Sequence, residues 1–169
     1  GRIIDMAMLE RQPTVLEAAL ARFFATGEAQ KPTGSRHPVI TPFDVFMAKD
    51  GPIAIGAANE DLFATLADAL GRPAWKSDPR FASVYARFAH HVELKQEIEA
   101  ALKERGAKEW IATLQAAGLP AAPVNDMAAV AADPQLAARN MFVEVNDPEM
   151  GKLRMAGSPF KISGFEDRP

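Results

Sequence analysis

Apolar residues recur at three- and four-residue spacing along much of the chain, which indicates amphipathic helices. The predicted helices are the opening segment to Thr26, Glu60 to Leu70, Val92 to Arg105, Lys108 to Ala117, Met127 to Ala132 and Gln135 to Arg139. Pro13 should break the opening helix, with Thr14 capping its second part, because proline lacks the N–H that a helix interior needs. The apolar stripe of this helix needs a partner surface, either the chain's own core or a second subunit or domain.

Two pairs of short β-compatible runs predict hairpins. Phe43 to Met47 and Ile53 to Ala57 flank Lys49-Asp50-Gly51, and an Asp-Gly pair tolerates the positive φ angles of a tight turn. Phe142 to Val145 and Lys152 to Met155 predict the second hairpin. Strands and helices do not alternate regularly, so the pattern predicts an α+β fold with about six helices.

Composition narrows the function classes. The 169 residues are 48% apolar and 24% charged, values typical of globular domains. The net charge is −3 without a basic run, so no nucleic-acid partner is expected. No apolar run approaches the roughly 20 residues that span a bilayer, so no membrane partner is expected either. The absence of cysteine excludes disulfides, thiolate metal sites and a cysteine nucleophile, and it fits a reducing, cytoplasmic compartment.

Histidines are the first candidates for site chemistry, since no standard nucleotide-binding, metalloprotease or hydrolase motif occurs. His90 and His91 are adjacent and would point about 100° apart on a helix, so we expect structural roles and no metal site. His37 lies in the loop segment Gly-Ser-Arg-His-Pro, between a helix and a strand, where binding residues are common. Arg36 beside it could contact a phosphate or carboxylate, or pair with a neighbouring acid.

A series of short motifs also follows one order along the chain. The series is Gly1–Leu9, Gly34–Pro38, Pro42–Phe46, Lys49–Gly51, Asp78–Phe81, Glu109-Trp110, Pro120–Asn125, Asp133–Gln135 and Gly157–Lys161. This order and spacing resembles the class III CoA-transferases, the CaiB/BaiF group. No single motif is specific, whereas the whole series across the chain is.

The resemblance implies a larger enzyme of which this chain is an internal part. In this family both chain ends build a large Rossmann-like domain, a smaller α+β domain lies between them, and two subunits interlock. We therefore expect a linker helix over 1–27, the small α+β domain of helices and short antiparallel hairpins over 28–140, and a hairpin and return segment over 141–169. The implied partners are an acyl-CoA, a carboxylic acid and a second copy in a homodimer. The coenzyme A thioester is a substrate, with no permanently bound cofactor.

The reaction that the resemblance implies transfers CoA between carboxylic acids through an aspartyl acyl anhydride. The family's aspartate would lie upstream of this sequence, so we expect no catalytic residue in the chain and no activity of the chain alone. By likeness to a glycine-rich loop of the formyl-CoA transferase branch, Gly34, Ser35, Arg36 and His37 would face the acyl group as substrate-binding residues. Two alternatives stay open: an acyl-CoA racemase of the same family, and a free-standing, non-catalytic α+β interaction module.

Overall fold

Helices and small antiparallel sheets make up the computed structural model, which describes residue 3 and residues 5–164. This mixture confirms the predicted α+β class. Residues 1, 2, 4 and 165–169, at the outer ends of the predicted linker helix and return segment, lie outside the described residues. Within the described part of the chain, no helix is both long and apolar enough to cross a bilayer.

The chain divides into two compact units, Gly1–Ala122 and Pro123–Pro169. The elements of the first unit are, in chain order, α1 (Met8–Val15), α2 (Glu17–Thr26), β1 (Phe43–Met47), β2 (Pro52–Gly56), α3 (Glu60–Ala69), a 3-10 helix (Pro73–Lys76), α4 (Val84–Ala89), α5 (His91–Leu102) and α6 (Ala107–Ala116). Strand β3 (Ala121–Pro123) follows at the boundary between the units. The division into 1–27, 28–140 and 141–169 stays a prediction.

The first predicted hairpin is confirmed. Strands β1 and β2 pair antiparallel with Phe43 opposite Gly56, and Pro52 is the first residue of β2. After α6, strand β3 lies beside β2 and gives the sheet order β1-β2-β3. Strand β1 is therefore an edge, and helix α5 covers it: Lys95 Nζ donates to Val45 O at 2.8 Å, and Met47 N donates to Glu99 Oε1 at 3.1 Å.

Apolar residues of this hairpin and of helices α3, α5 and α6 form one buried cluster. It includes Phe46, Ile53, Ile55, Phe63, Leu66, Leu94, Ile98, Leu102, Trp110 and Leu114. The predicted amphipathic character of these helices is confirmed. Asn59 caps α3, since its Oδ1 accepts the Leu62 N–H at 2.8 Å. This core fixes the position of the hairpin.

The opening helix is two helices, as the proline predicts. Pro13 lies in the last turn of α1, and the Leu16 N–H donates to its carbonyl at 3.2 Å. The predicted cap at Thr14 is wrong: Leu16 holds the N-cap position of α2, and Thr14 Oγ1 donates back to Glu10 O at 3.4 Å. No residue of α1 or α2 is buried, so their apolar stripe is not part of the core of this chain.

The described residues contain eight α-helices and one 3-10 helix, more than the number predicted. Pro13 accounts for one extra helix, because it divides the opening segment. The other extra helix is α4, which precedes the predicted helix Val92 to Arg105. It ends at His90, whose φ of −107° and ψ of 32° lie outside the α-helical range.

The hairpin turn supplies a cap to a helix more than 50 residues further along the chain. Asp50 Oδ1 accepts the Ala107 N–H at 2.6 Å, at the start of α6, whose own N-cap residue is Gly106. A Cβ on Gly106 would lie 2.7 Å from Asp50 Oδ2. Glycine therefore leaves room for a carboxylate that satisfies a free helix N–H.

We expect Asp50→Ala to lower the free energy of unfolding by about 1 kcal/mol, the ordinary cost of losing a helix cap. Asp50→Asn should cost less, because the amide oxygen can still accept the N–H. Urea denaturation measures both. Asp68→Ala is the matched control, since the Asp68 side chain pairs with the exposed Lys76, and it should cost below about 0.5 kcal/mol. Equal losses for the two alanine variants would contradict the capping role.

The second unit contains α7 (Met127–Ala131), α8 (Pro134–Ala138) and the antiparallel pair β4 (Phe142–Asp147) and β5 (Gly151–Ala156), which confirms the second predicted hairpin. Aspartates cap both helices: Asp126 Oδ1 accepts the Ala129 N–H, and Asp133 Oδ1 accepts the N–H groups of Gln135 and Leu136. The described end of the chain, up to residue 164, has no helix.

Candidate functional site

The candidate residues Gly34, Ser35, Arg36 and His37 form one turn between α2 and β1. Gly34 has a φ of +65°, which favours glycine, and the Arg36 N–H closes the turn onto Thr33 O at 3.3 Å. A Cβ at Gly34 would meet no atom within 4 Å, so the backbone conformation and not space calls for glycine there. The turn therefore depends on a local feature of the sequence.

Ser35 is held by Asp44, the second residue of the edge strand β1. Its Oγ donates to Asp44 Oδ1 at 2.6 Å, and the Val45 N–H donates to the same oxygen at 2.7 Å. Lys95 Nζ donates to Asp44 Oδ2 at 2.7 Å. Ser35, Asp44 and Lys95 therefore form a continuous polar chain, here called the Ser35–Asp44–Lys95 network, from the loop across β1 to α5.

Asp44 is 8% exposed, so its carboxylate depends on these partners. Burial by itself would raise the pKa of Asp44. The hydrogen bonds from Lys95, Ser35 and the Val45 N–H, with the positive charge of Lys95, outweigh burial and lower the pKa below its ordinary value. Asp44 is thus a charged, fully bonded acceptor beneath the loop. Nothing in its sequence position, in a strand rich in apolar residues, indicates this role.

His37 is half-buried and fixed in orientation. Its N–H donates to Phe43 O at 2.8 Å, and its ring stacks on the Phe43 ring with centroids 5.4 Å apart. The N–H groups of Val39 and Ile40 donate to Nδ1 at 3.2 and 2.9 Å. Because Nδ1 accepts from two donors, the hydrogen of the neutral ring lies on Nε2. His37 therefore presents Nε2–H as a hydrogen-bond donor.

Arg36 lies beside this imidazole. Its Nη1 donates to His37 O at 3.0 Å, and its Cζ lies 5.6 Å from the centre of the Phe88 ring in α4. Arg36 makes no ion pair with an acid in the described part of the chain, so the predicted alternative of pairing with a neighbouring acid is not what the structure shows. Its remaining N–H groups suit a carboxylate or phosphate oxygen.

A groove of about 290 Å³ runs between α2 and the loop. Its polar lining residues are Arg22, Gln30 and His37. Its apolar lining residues are Val15, Leu16, Ala18, Ala19, Pro38 and Val39. An apolar wall with a few polar donors is the usual character of a small-molecule site.

Sequence reasoning missed Arg22, which also lines a second groove of about 350 Å³ with Val39, Val84, Tyr85 and Phe88. Its guanidinium makes no hydrogen bond or ion pair with the described residues. An arginine on an exposed helix has no sequence signal that separates it from a solubilising charge, because only the approach of the loop gives it a groove.

His90 and His91 contact neighbouring residues of α4 and α5. His90 Nδ1 lies 3.4 Å from Glu93 Oε1, and His91 Nδ1 lies 3.0 Å from Phe88 O, so each ring has a local helical partner. Among the described residues, no group of three or more His, Asp or Glu side chains lies together in a way that could hold a metal ion.

Comparison with known families adds what the geometry alone does not decide. Residues 1–169 match the sequence profile described as CoA-transferase family III. The chain belongs to this family. An Acetobacter aceti member named acetyl-CoA:oxalate CoA-transferase is 40% identical over 167 residues, which are 99% of this chain and 42% of that protein. Homo sapiens succinyl-CoA:glutarate CoA-transferase is 28% identical over 166 residues, which are 98% of this chain and 38% of that protein.

Solved structures agree with this family III assignment. A CAIB/BAIF family protein from Brucella suis superposes with a TM-score of 0.76 at 32% identity, over 97% of this chain and 42% of that chain. A Mycobacterium tuberculosis protein in an orthorhombic crystal form gives a TM-score of 0.77 at 25% identity, over 98% of this chain and 43% of that one. The chain therefore spans about two fifths of the length of the relatives it matches, and the substrate-binding role of Gly34, Ser35, Arg36 and His37 stays a prediction.

Proposed function

We propose that this chain forms the acyl-facing part of a family III CoA-transferase, which moves CoA from an acyl-CoA to a second carboxylic acid. The observation that carries the proposal is the match to CoA-transferase family III over residues 1–169. Relatives that cover nearly all of this chain bear CoA-transferase names. The homodimer and the cytoplasmic location that the resemblance implies belong to the same proposal.

The proposed chemistry begins with attack by an aspartate carboxylate on the thioester carbonyl. A C–O bond forms, the C–S bond breaks, and CoA leaves as the thiolate, so that a mixed anhydride remains on the enzyme. The second acid then attacks the aspartyl carbonyl, releases the first acid and forms a new anhydride. The CoA thiolate attacks the acyl carbonyl of that anhydride, which gives the new acyl-CoA and frees the aspartate. We assign this aspartate to the rest of the whole enzyme and not to any residue of this chain, so the chain alone should transfer no acyl group.

The loop would contribute donors to this reaction. His37 offers Nε2–H from a ring whose orientation two backbone N–H groups hold, and Arg36 offers guanidinium N–H groups beside it. Acyl and carboxylate oxygens are the acceptors that such donors bind, and a preorganised donor is worth most where negative charge develops. Gly34 and Ser35 set the turn that carries them.

A substrate panel separates the three functional readings. The whole enzyme that contains this sequence is incubated with succinyl-CoA or acetyl-CoA and one free acid at a time, including oxalate and glutarate, and new thioesters are measured by mass spectrometry. CoA transfer supports the proposal. Deuterium uptake at the α-carbon of a 2-methylacyl-CoA in heavy water, without transfer, would favour the racemase. Neither activity would favour the interaction module.

His37→Asn tests the loop within that enzyme. Asparagine Oδ1 can still accept the N–H groups of Val39 and Ile40, so the turn is kept while the Nε2 donor is lost. We expect kcat/KM to fall about 10- to 100-fold, which corresponds to one hydrogen bond to a charged group. Arg36→Ala should act in the same direction.

The matched control is His90→Asn, which changes an exposed histidine with only a local partner and should leave kcat/KM unchanged. Thermal unfolding of each variant shows whether the fold is kept. Wild-type kinetics in both His37→Asn and Arg36→Ala would remove the loop from the substrate site.

A further inference from the structure

The loop that carries the candidate residues has few contacts that hold it. Its closing bond, from the Arg36 N–H to Thr33 O, is long at 3.3 Å. Its hydrogen bonds to the sheet run from the His37 N–H to Phe43 O and from Ser35 Oγ to Asp44 Oδ1, and the His37 ring also stacks on Phe43. Both lead to the first two residues of β1, so the position of the loop depends on what holds that end of the strand.

Asp44 is the stronger of these two attachments, because a charged acceptor makes a stronger hydrogen bond than a neutral carbonyl. Its side chain is 7% exposed, and both of its oxygens are occupied. A carboxylate this buried requires a counter-charge, which Lys95 supplies from α5. Lys95 is itself held by Val45 O at 2.8 Å and lies 5.4 Å from the centre of the Phe46 ring.

We propose that Asp44 and Lys95 are positioning residues for the acyl-binding loop, acting through Ser35 and not by contact with substrate. The proposal rests on the proposed function, because it assigns the network to the loop that would bind the acyl group. A buried ion pair is weak as a source of stability, since desolvation cancels most of the attraction. Asp44 supplies a charged acceptor for the Ser35 hydroxyl, which an apolar residue at this position could not do.

The geometry also explains the choice of side chains. The residue at position 35 must donate a hydroxyl hydrogen, and the residue at position 44 must accept with two oxygens, one from Ser35 and one from Lys95. The residue at position 95 needs several N–H groups, because Lys95 also donates to Val45 O. Each member loses its role if the next one is removed. The network should therefore behave as one unit in a double-mutant cycle.

The test uses the whole enzyme and four variants: Ser35→Ala, Ser35→Thr, Asp44→Asn and the double variant Ser35→Ala/Asp44→Asn. Asparagine has no charge and can present its amide hydrogens where Lys95 donates. We expect Ser35→Ala and Asp44→Asn each to lower kcat/KM for the acyl-CoA about tenfold, mainly through KM. The double variant should be no worse than the poorer single variant. Ser35→Thr keeps the hydroxyl and should stay within about threefold of wild type.

Two further measurements separate positioning from general stability. Amide hydrogen exchange over residues 33–40 should become faster in Ser35→Ala and Asp44→Asn, while the core helices keep their protection. Lys76→Met is the matched control: it breaks the exposed Lys76–Asp68 pair, which has the same 2.7 Å separation as Lys95–Asp44, and it should leave kcat/KM unchanged.

Ser35→Ala removes only one hydroxyl from an exposed residue, so it keeps the test decisive even if Asp44→Asn does not fold. If Ser35→Ala and Asp44→Asn leave kcat/KM within about twofold while His37→Asn impairs it, the positioning role is wrong and the proposed function stands. Additive losses in the double variant would also overturn the inference. If His37→Asn and Arg36→Ala are silent as well, the acyl-binding role of the loop fails, and the positioning role fails with it.

Discussion

Replacing Arg87 with methionine should lower the free energy of unfolding by about 3 kcal/mol, because two buried carbonyls lose their donors. Arg87 is 1% exposed. Its Nε donates to Thr41 O at 3.1 Å, and its Nη1 donates to Phe81 O at 2.9 Å and to Glu60 Oε2 at 2.8 Å. Methionine fills much of the same volume, so the loss reports mainly on the hydrogen bonds. Urea denaturation of the chain measures it.

The contact with Glu60 should contribute little to that loss. Glu60 is 57% exposed on its side chain, and water replaces the partner it loses. Arg87 is nevertheless the main cause that holds the pKa of Glu60 below its ordinary value, so Arg87→Met should move this pKa upward. Titration by NMR would detect that change separately from stability.

Arg80→Met is the matched control for Arg87→Met. Arg80 also contacts Phe81, with its Cζ 4.5 Å from the ring centre, but its side chain is 44% exposed and its partners Asp78 and Glu97 are partly exposed. We expect Arg80→Met to lower the free energy of unfolding clearly less than Arg87→Met does, because solvent screens these contacts. Similar losses of unfolding free energy in the two variants would show that the buried hydrogen bonds of Arg87 contribute no more to stability than the exposed contacts of Arg80.

Trp110→Ala should have the largest effect on stability, about 3 to 5 kcal/mol, which is the usual cost of removing a buried aromatic ring. Trp110 is 1% exposed, and its Nε1 donates to Leu102 O at 2.8 Å, so it joins α6 to the end of α5. The Cζ of Arg105 lies 4.0 Å from the ring centre. The alanine variant loses ring packing, this hydrogen bond and the cation–π contact together.

Two further variants divide that loss. Trp110→Phe keeps an aromatic ring and removes the indole N–H. It should lower the free energy of unfolding less than Trp110→Ala does, and the difference between the two variants measures the ring packing. Tyr85→Ala removes an aromatic ring that is 88% exposed and should change stability by below about 0.5 kcal/mol. A small loss in Trp110→Ala, close to that of Tyr85→Ala, would contradict the central place of Trp110 in the core.

Local structure was largely predictable from the residues. The hairpin around Asp50 and Gly51 was identified correctly, although neither residue has the positive φ angle on which the prediction was based. The cap at Thr14 failed because Pro13 lies in the last turn of α1 and moves the break to Leu16. The predicted number of helices was too low, because Pro13 divides the opening segment and because α4 precedes the predicted helix that begins at Val92.

The candidate site was only partly predictable. Its loop was identified from its residue types and from the family resemblance. The sequence did not predict that Ser35 and His37 would have different surroundings. Ser35 bonds inward to Asp44, whereas His37 lines a groove together with Arg22. Lys95 lies 51 residues from Asp44 in the chain, so no local pattern could connect them.

The sequence by itself determined the α+β class, the positions of the main helices and hairpins, and membership of CoA-transferase family III, because these depend on local periodicity, turn chemistry and motif order. Only the tertiary structure decided which polar side chains meet. Asp50 caps α6, Arg87 bonds to Thr41 O, and Asp44 joins Ser35 to Lys95. The physical reason is that a buried polar group takes its partner from whichever segment packs against it, and packing brings together residues that are far apart in the chain.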